Sequence, residues 1–145
     1  MQFDPNNKVV QLCAEGMELE VKGNVGDALN KFMQAWNISV SDEEKFIAAH
    51  YVARHQSSVK DKLKWDSTAL NHALKAGESF KSQLPSLYLN IAKCYEDLDD
   101  YPSALDNYNQ ALSFTTFLQN DGYGNMIKAG IQNGIERVAT ANKTE

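Results

Sequence analysis

Apolar residues recur three and four positions apart along most of the chain, and no stretch alternates with a period of two over a useful length, so the pattern predicts helices and no sheet. A first helix is expected over about residues 6–22. Asp4-Pro5 supplies its start, and Val9, Leu12, Cys13, Gly16, Met17 and Leu19 repeat at helical spacing before Lys22-Gly23-Asn24 breaks it. A second, over about 26–38, places Ala28, Leu29, Phe32, Ala35 and Trp36 on one face. Ser41-Asp42-Glu43-Glu44 reads as a capping box opening a third helix over about 42–56. Ser57 to Lys64 is polar and basic-leaning and reads as a loop or a frayed extension, after which Trp65 opens a fourth helix carrying Ala69, Leu70, Ala73 and Leu74 to about Gly77. Leu84-Pro85 begins a fifth, ending near Leu98, and Pro102 sits near the start of a sixth that runs to about Phe114. After Asn120-Asp121-Gly122-Tyr123-Gly124 comes a last helix, about 123–141, with Met126, Ile127, Ile131, Ile135 and Val138.

Two segments repeat each other. Gly16 and Ala92 lie 76 positions apart, and the same offset relates Leu19 to Tyr95, Ala28 to Ala104, Phe32 to Tyr108 and Ala35 to Ala111. In each segment a small residue on one helix precedes a tight polar turn, and alanine, an aromatic and alanine then follow at steps of four and three. The steps put those three side chains on one helical face. The small residue lets the second helix approach closely, and the aromatic fills the space before the next pair.

This pattern resembles the tetratricopeptide repeat, whose unit is two antiparallel helices in about 34 residues. The resemblance implies an all-α fold: an α-α superhelix of three helix pairs, about 6–40, 42–79 and 84–116, plus a C-terminal capping helix, as a single domain over 1–145. The middle pair departs from the pattern, with Ala73 where the aromatic should stand and about eight extra residues between its helices. The strings Phe46-Ile47-Ala48-Ala49-His50-Tyr51-Val52-Ala53-Arg54-His55-Gln56 and Pro85-Ser86-Leu87-Tyr88-Leu89-Asn90 are also similar to a group of small bacterial tetratricopeptide-like proteins, some labelled rRNA adenine methyltransferase. The chain has neither the glycine-rich strand-to-helix loop nor the parallel strands that would hold that cofactor.

In such repeats the first helix of each pair lines a concave groove. The resemblance therefore assigns Met17, Glu20, Val21, Phe46, His50, Arg54, Leu89, Lys93 and Glu96 to a partner-binding wall. His50 and Arg54, four apart on one helix, are expected to share a face and to orient an anionic or carboxylate group, with His55 pointing elsewhere. Cys13 and Met17 stand where the clamp of chaperone-tail-binding relatives would place lysine and asparagine, so that clamp is not expected. Trp36, Trp65, Tyr88, Tyr95 and Tyr108 are expected to pack between helices rather than stack on bases.

Composition narrows the function classes. A net charge of -5 argues against binding nucleic acid or an anionic membrane, and no apolar run is long enough to span a bilayer. Cys13 and Cys94 each sit in an apolar helical stretch and read as free thiols, and the opening residues lack a secretory pattern, so a cytoplasmic location is expected. No metal-ligand spacing, phosphate loop or catalytic triad stands out, so no cofactor is expected. The expected function is an interaction module that grips a peptide, helix or loop of a protein partner. The alternatives are an accessory subunit that homodimerises through its last helix and, third, an enzyme.

Overall fold

The computed structural model describes residues 4–143, with side chains to Ala141. Seven α-helices and two short 3-10 segments, and no strand, make up the described residues: α1 (Lys8–Val21), α2 (Val25–Ile38), α3 (Asp42–Ala53), α4 (Val59–Ala76), α5 (Leu84–Asp97), α6 (Tyr101–Ser113) and α7 (Gly122–Lys143). The all-α expectation holds. Contacts divide the chain into two compact units, Met1–Ala76 and Gly77–Glu145.

In the first unit α1 pairs with α2 and α3 with α4, and α3 also packs on both α1 and α2. The first pair closes because Gly16 lies directly under the Phe32 ring, where a methyl group would collide with the ring atoms. Ala28, Phe32 and Ala35 are fully buried, as the four-and-three spacing requires. The connecting turn needs a left-handed residue, supplied by Gly23 at φ 81°. Asn24 N–H then bonds Leu19 C=O at 2.9 Å and closes the helix end.

One carboxylate joins two helix starts. Asn7, not Asp4, caps α1: its Oδ1 accepts from the N–H groups of Val9 (2.8 Å) and Val10 (3.2 Å). The Asn7 side-chain amide donates to Glu44 Oε2 at 2.9 Å, while Glu44 Oε1 accepts from Val40 N–H and Ser41 N–H at the start of α3. Ser41 Oγ accepts in return from Glu44 N–H, completing the anticipated capping box. The Asn7 amide, followed by the two backbone donors, holds the Glu44 carboxyl below its ordinary value.

Ser57 to Lys64, expected as a loop or a frayed extension, is mostly helix. α4 opens at Val59, six residues before Trp65, after Ser58 Oγ accepts from Asp61 N–H at 3.1 Å. Lys62, read as loop, bonds the buried Asp66 one turn on, at 2.6 Å. The extra residues thus lengthen the second helix of this pair instead of its turn. α3 ends three residues earlier than expected, so Arg54 and His55 lie in the turn that follows it.

The second unit repeats the first plan. Asp99 takes the place of Gly23 with φ 61°, and Asp100 N–H bonds Tyr95 C=O at 2.9 Å. The unit begins with a 3-10 segment, Glu78–Gln83, that buries Phe80. α7 packs on both α5 and α6, as α3 does on α1 and α2. Its Gly134 lies against the Tyr108 ring, where a methyl group would not fit, and Ile127, Ile131 and Val138 complete the core. The last helix therefore covers the α5–α6 pair.

Two glycines of the first unit should respond in opposite directions to the same substitution. Gly16→Ala should lower stability by about 1–3 kcal/mol because the methyl meets the Phe32 ring. Gly26→Ala, on α2 with open space around it, should raise stability by about 0.5–1 kcal/mol. Urea unfolding of the two variants beside the parent measures both.

Candidate functional site

In the first unit the charged wall is organised by Glu20, in the last turn of α1. His55 Nε2 bonds Glu20 Oε2, and Arg54 Nη2 lies 3.4 Å from the same oxygen. The expected separation of Arg54 from His55 is therefore corrected: both converge on one carboxylate because α3 has already ended. The rings behind them form a stack. The Phe32 ring lies near both Tyr51, at 5.1 Å, and His55, at 6.0 Å, and Arg54 lies over the Tyr51 ring at 5.4 Å.

His50 does not join Arg54 in holding an anion. Its Nδ1 is buried and has no hydrogen-bond partner, and its ring rests against Phe46 and Tyr51. Burial is the main cause that lowers the His50 pKa; nearby Asp66 raises it, and Arg54 and Lys62 add to the lowering. Phe46, also assigned to the wall, is 3% exposed and belongs to the core. The periodicity places both residues on α3 but does not reveal that α1 and α4 close around that helix.

Two apolar wall residues do face solvent. Met17 is 37% exposed and Val21 is 88% exposed, one turn apart on α1 beside Glu20. Cys13, one turn before Met17, is buried, and burial pushes its thiol up to about 12, which leaves it protonated and inert at neutral pH.

In the second unit Glu96 holds the place of Glu20, 76 positions on. It accepts from Tyr108 Oη at 2.7 Å and from Arg137 Nε and Nη2 at 2.9 and 3.1 Å. The Tyr108 ring is fully buried, and burial followed by the Glu96 hydrogen bond raises its phenol pKa. Glu96 is held low despite burial, which opposes the shift; the hydrogen bonds from Arg137 and Tyr108 prevail. Lys93 is exposed and pairs with Asp97 at 2.8 Å, with Glu96 at 4.0 Å, and Leu89 is half-buried against α6 and α7. Arg137 was absent from the expected set. It falls three residues after Gly134, as Arg54 falls three after Tyr51, but the sequence of α7 has too little in common with α3 to display that correspondence.

The anticipated aromatic packing holds in part. Tyr108 is buried, whereas Trp36 and Trp65 are half-buried and meet edge to face at 5.1 Å, with Lys45 over the Trp36 ring. A groove of about 480 Å³ runs between α1 and α2, over Leu12 and Ile38, and its Lys31–Glu15 ion pair of 3.1 Å is internally satisfied. Among the described residues no helix is long and apolar enough to cross a membrane, and no cluster of side chains is arranged to hold a metal.

No protein-family model, curated protein or solved structure matches the chain.

Two substitutions test these arrangements. Because His50 has its pKa lowered in the folded state, the unfolded chain protonates first as pH falls below about 6.5. Its contribution is thus complete above that pH and is lost on acidification. His50→Leu should flatten the fall in stability between pH 7 and pH 5, a slope that one group limits to about 1.4 kcal/mol per pH unit. Tyr108→Phe should cost about 1.5–3 kcal/mol, since it removes a buried bond to a charged group. Arg137→Ala should cost less, its side chain being 49% exposed. Denaturant titrations at fixed pH rank the pair.

Proposed function

We propose that the chain is an interaction module of tetratricopeptide-like helix pairs, which binds a segment of a protein partner on the wall formed by its first helices and performs no chemistry itself. The repeated construction supports the helix-pair reading. The same offset relates the small residue, the aromatic, the left-handed turn residue and the carboxylate in both units, and each carboxylate ties down a basic residue in, or just after, the helix that packs on the pair. The single observation that carries the binding reading is the exposure of Met17 and Val21 side by side on α1, where burial would otherwise be favourable.

The basic groups around these walls are already engaged: Arg54 and His55 on Glu20, Lys93 on Asp97, Arg137 on Glu96. The alternative of oligomerisation through the last helix has weaker support. Asn125, Gln132, Asn133 and Glu136 make the exposed side of α7 polar, and among its described side chains only Tyr123 and Met126, near its start, expose large apolar surface.

The test is affinity capture from the source cells with the parent chain and with the Met17→Asp/Val21→Asp double variant. The variant should lose the partner while its stability changes by no more than about 0.5 kcal/mol per site, as exposed substitutions do. Equal recovery of every captured protein by both baits would remove the proposal.

A further inference from the structure

His50 is the buried titratable group that the binding reading leaves unused. Its ring sits near the end of α3, with the Phe46 ring at 6.2 Å and the Tyr51 ring at 5.3 Å, and its enclosed Nδ1 has no hydrogen-bond partner among the described residues. While the imidazole is neutral, the unmet nitrogen is at most a lost acceptor. Protonation makes both nitrogens donors and leaves a charged N–H enclosed with nothing to receive it.

Three charged groups act on that ring. Arg54, in the turn after α3, and Lys62, on α4, repel a proton there, and Asp66, on α4, attracts it. Asp66 is buried and already bonds Lys62 Nζ at 2.6 Å. Arg54 and His55 are held by Glu20 of α1, and His72 meets Asp42 at 2.8 Å across the far end of the α3–α4 seam. A proton on His50 therefore competes with Lys62 for one buried carboxylate. Lys62 is the cation that can leave, since its side chain is 37% exposed and water solvates it at little cost.

The stretch that Lys62 anchors is lightly held. The buried residues of α4 are Asp66, Ala69 and Ala73, all beyond its first two turns, and its later part is fixed by Trp65 against Trp36 and by His72 on Asp42. Residues 59–64 bury no side chain, and their polar, basic-leaning sequence reads by itself as a loop or a frayed extension. We infer that His50 and Asp66 form a proton-operated latch: protonating His50 draws Asp66 from Lys62 and releases residues 59–64 from the helix, while α4 from Trp65 onward and the α1–α2 pair stay in place.

The test follows amide hydrogen exchange of the full chain from pH 7 to pH 5, divided by the intrinsic exchange rate, beside the ring resonances of His50, His55 and His72, the three histidines of the chain. Protection of residues 59–64 should fall in step with protonation of the His50 ring, by up to about tenfold per pH unit, the limit that one proton sets. Over the same range α1, α2 and the later part of α4 should keep their protection. Lys62→Met should leave residues 59–64 unprotected already at pH 7. A loss spread evenly over α1 to α4 would mean that His50 acts on the unit as a whole, and it would overturn the latch. So would a loss that follows the His55 or His72 ring, or protection of residues 59–64 that stays constant while His50 titrates. A Lys62→Met chain as protected as its parent would remove the exchange of partners.

Discussion

Everything in this molecule depends on how closely two helices can approach at a single point. Gly16 against Phe32 in the first unit, and Gly134 against Tyr108 in the second, bring one helix backbone onto the ring of another. Side chains of ordinary size would hold the axes apart and leave the ring partly unpacked. With the gap closed, Phe32 and Tyr108 lose all contact with solvent, and dispersion contacts around each ring replace water. The alanines on either side of the rings follow from the same demand.

A second device works at the ends of these contacts. Glu20 and Glu96 each sit one turn beyond the small residue of their own helix and accept from groups on elements packed beside it. Half-buried carboxylates are costly without donors, so each acid effectively selects the geometry in which its donors arrive. The difference between the two is instructive. Tyr108 offers its hydroxyl to Glu96, whereas Phe32 has none, and the first unit supplies His55 in addition to Arg54. The carboxylate is satisfied both ways, from different residues.

These internal ties explain why the functional reading moves from charge to apolar contact. Arginine, histidine and lysine on a helical face look like a grip for an anion when only spacing is known. Once paired with Glu20, Asp97 or Glu96, the same groups fix helices, and an anion would have to displace them. What is left unsatisfied on this wall is apolar: Met17 and Val21, exposed one turn apart on α1.

The helical class, the seven helices, the turn at Gly23 and the alanine–aromatic–alanine faces were all legible from residue order, because they depend on interactions within about four positions along the chain. So was the repeat offset, and with it the close approach of α1 and α2 at Gly16. Three things were decided only by tertiary packing. The stretch after Ser57 became helix because Asp66 could be buried with Lys62 as its partner, which local propensity alone does not foretell. His50 and Phe46 turned inward, although position on α3 does not say which neighbours will close over it. Arg137 met Glu96 across 41 residues, and ion pairs of that kind leave no periodic mark on a sequence, since they are set by where helices come to rest and not by the step along any one of them.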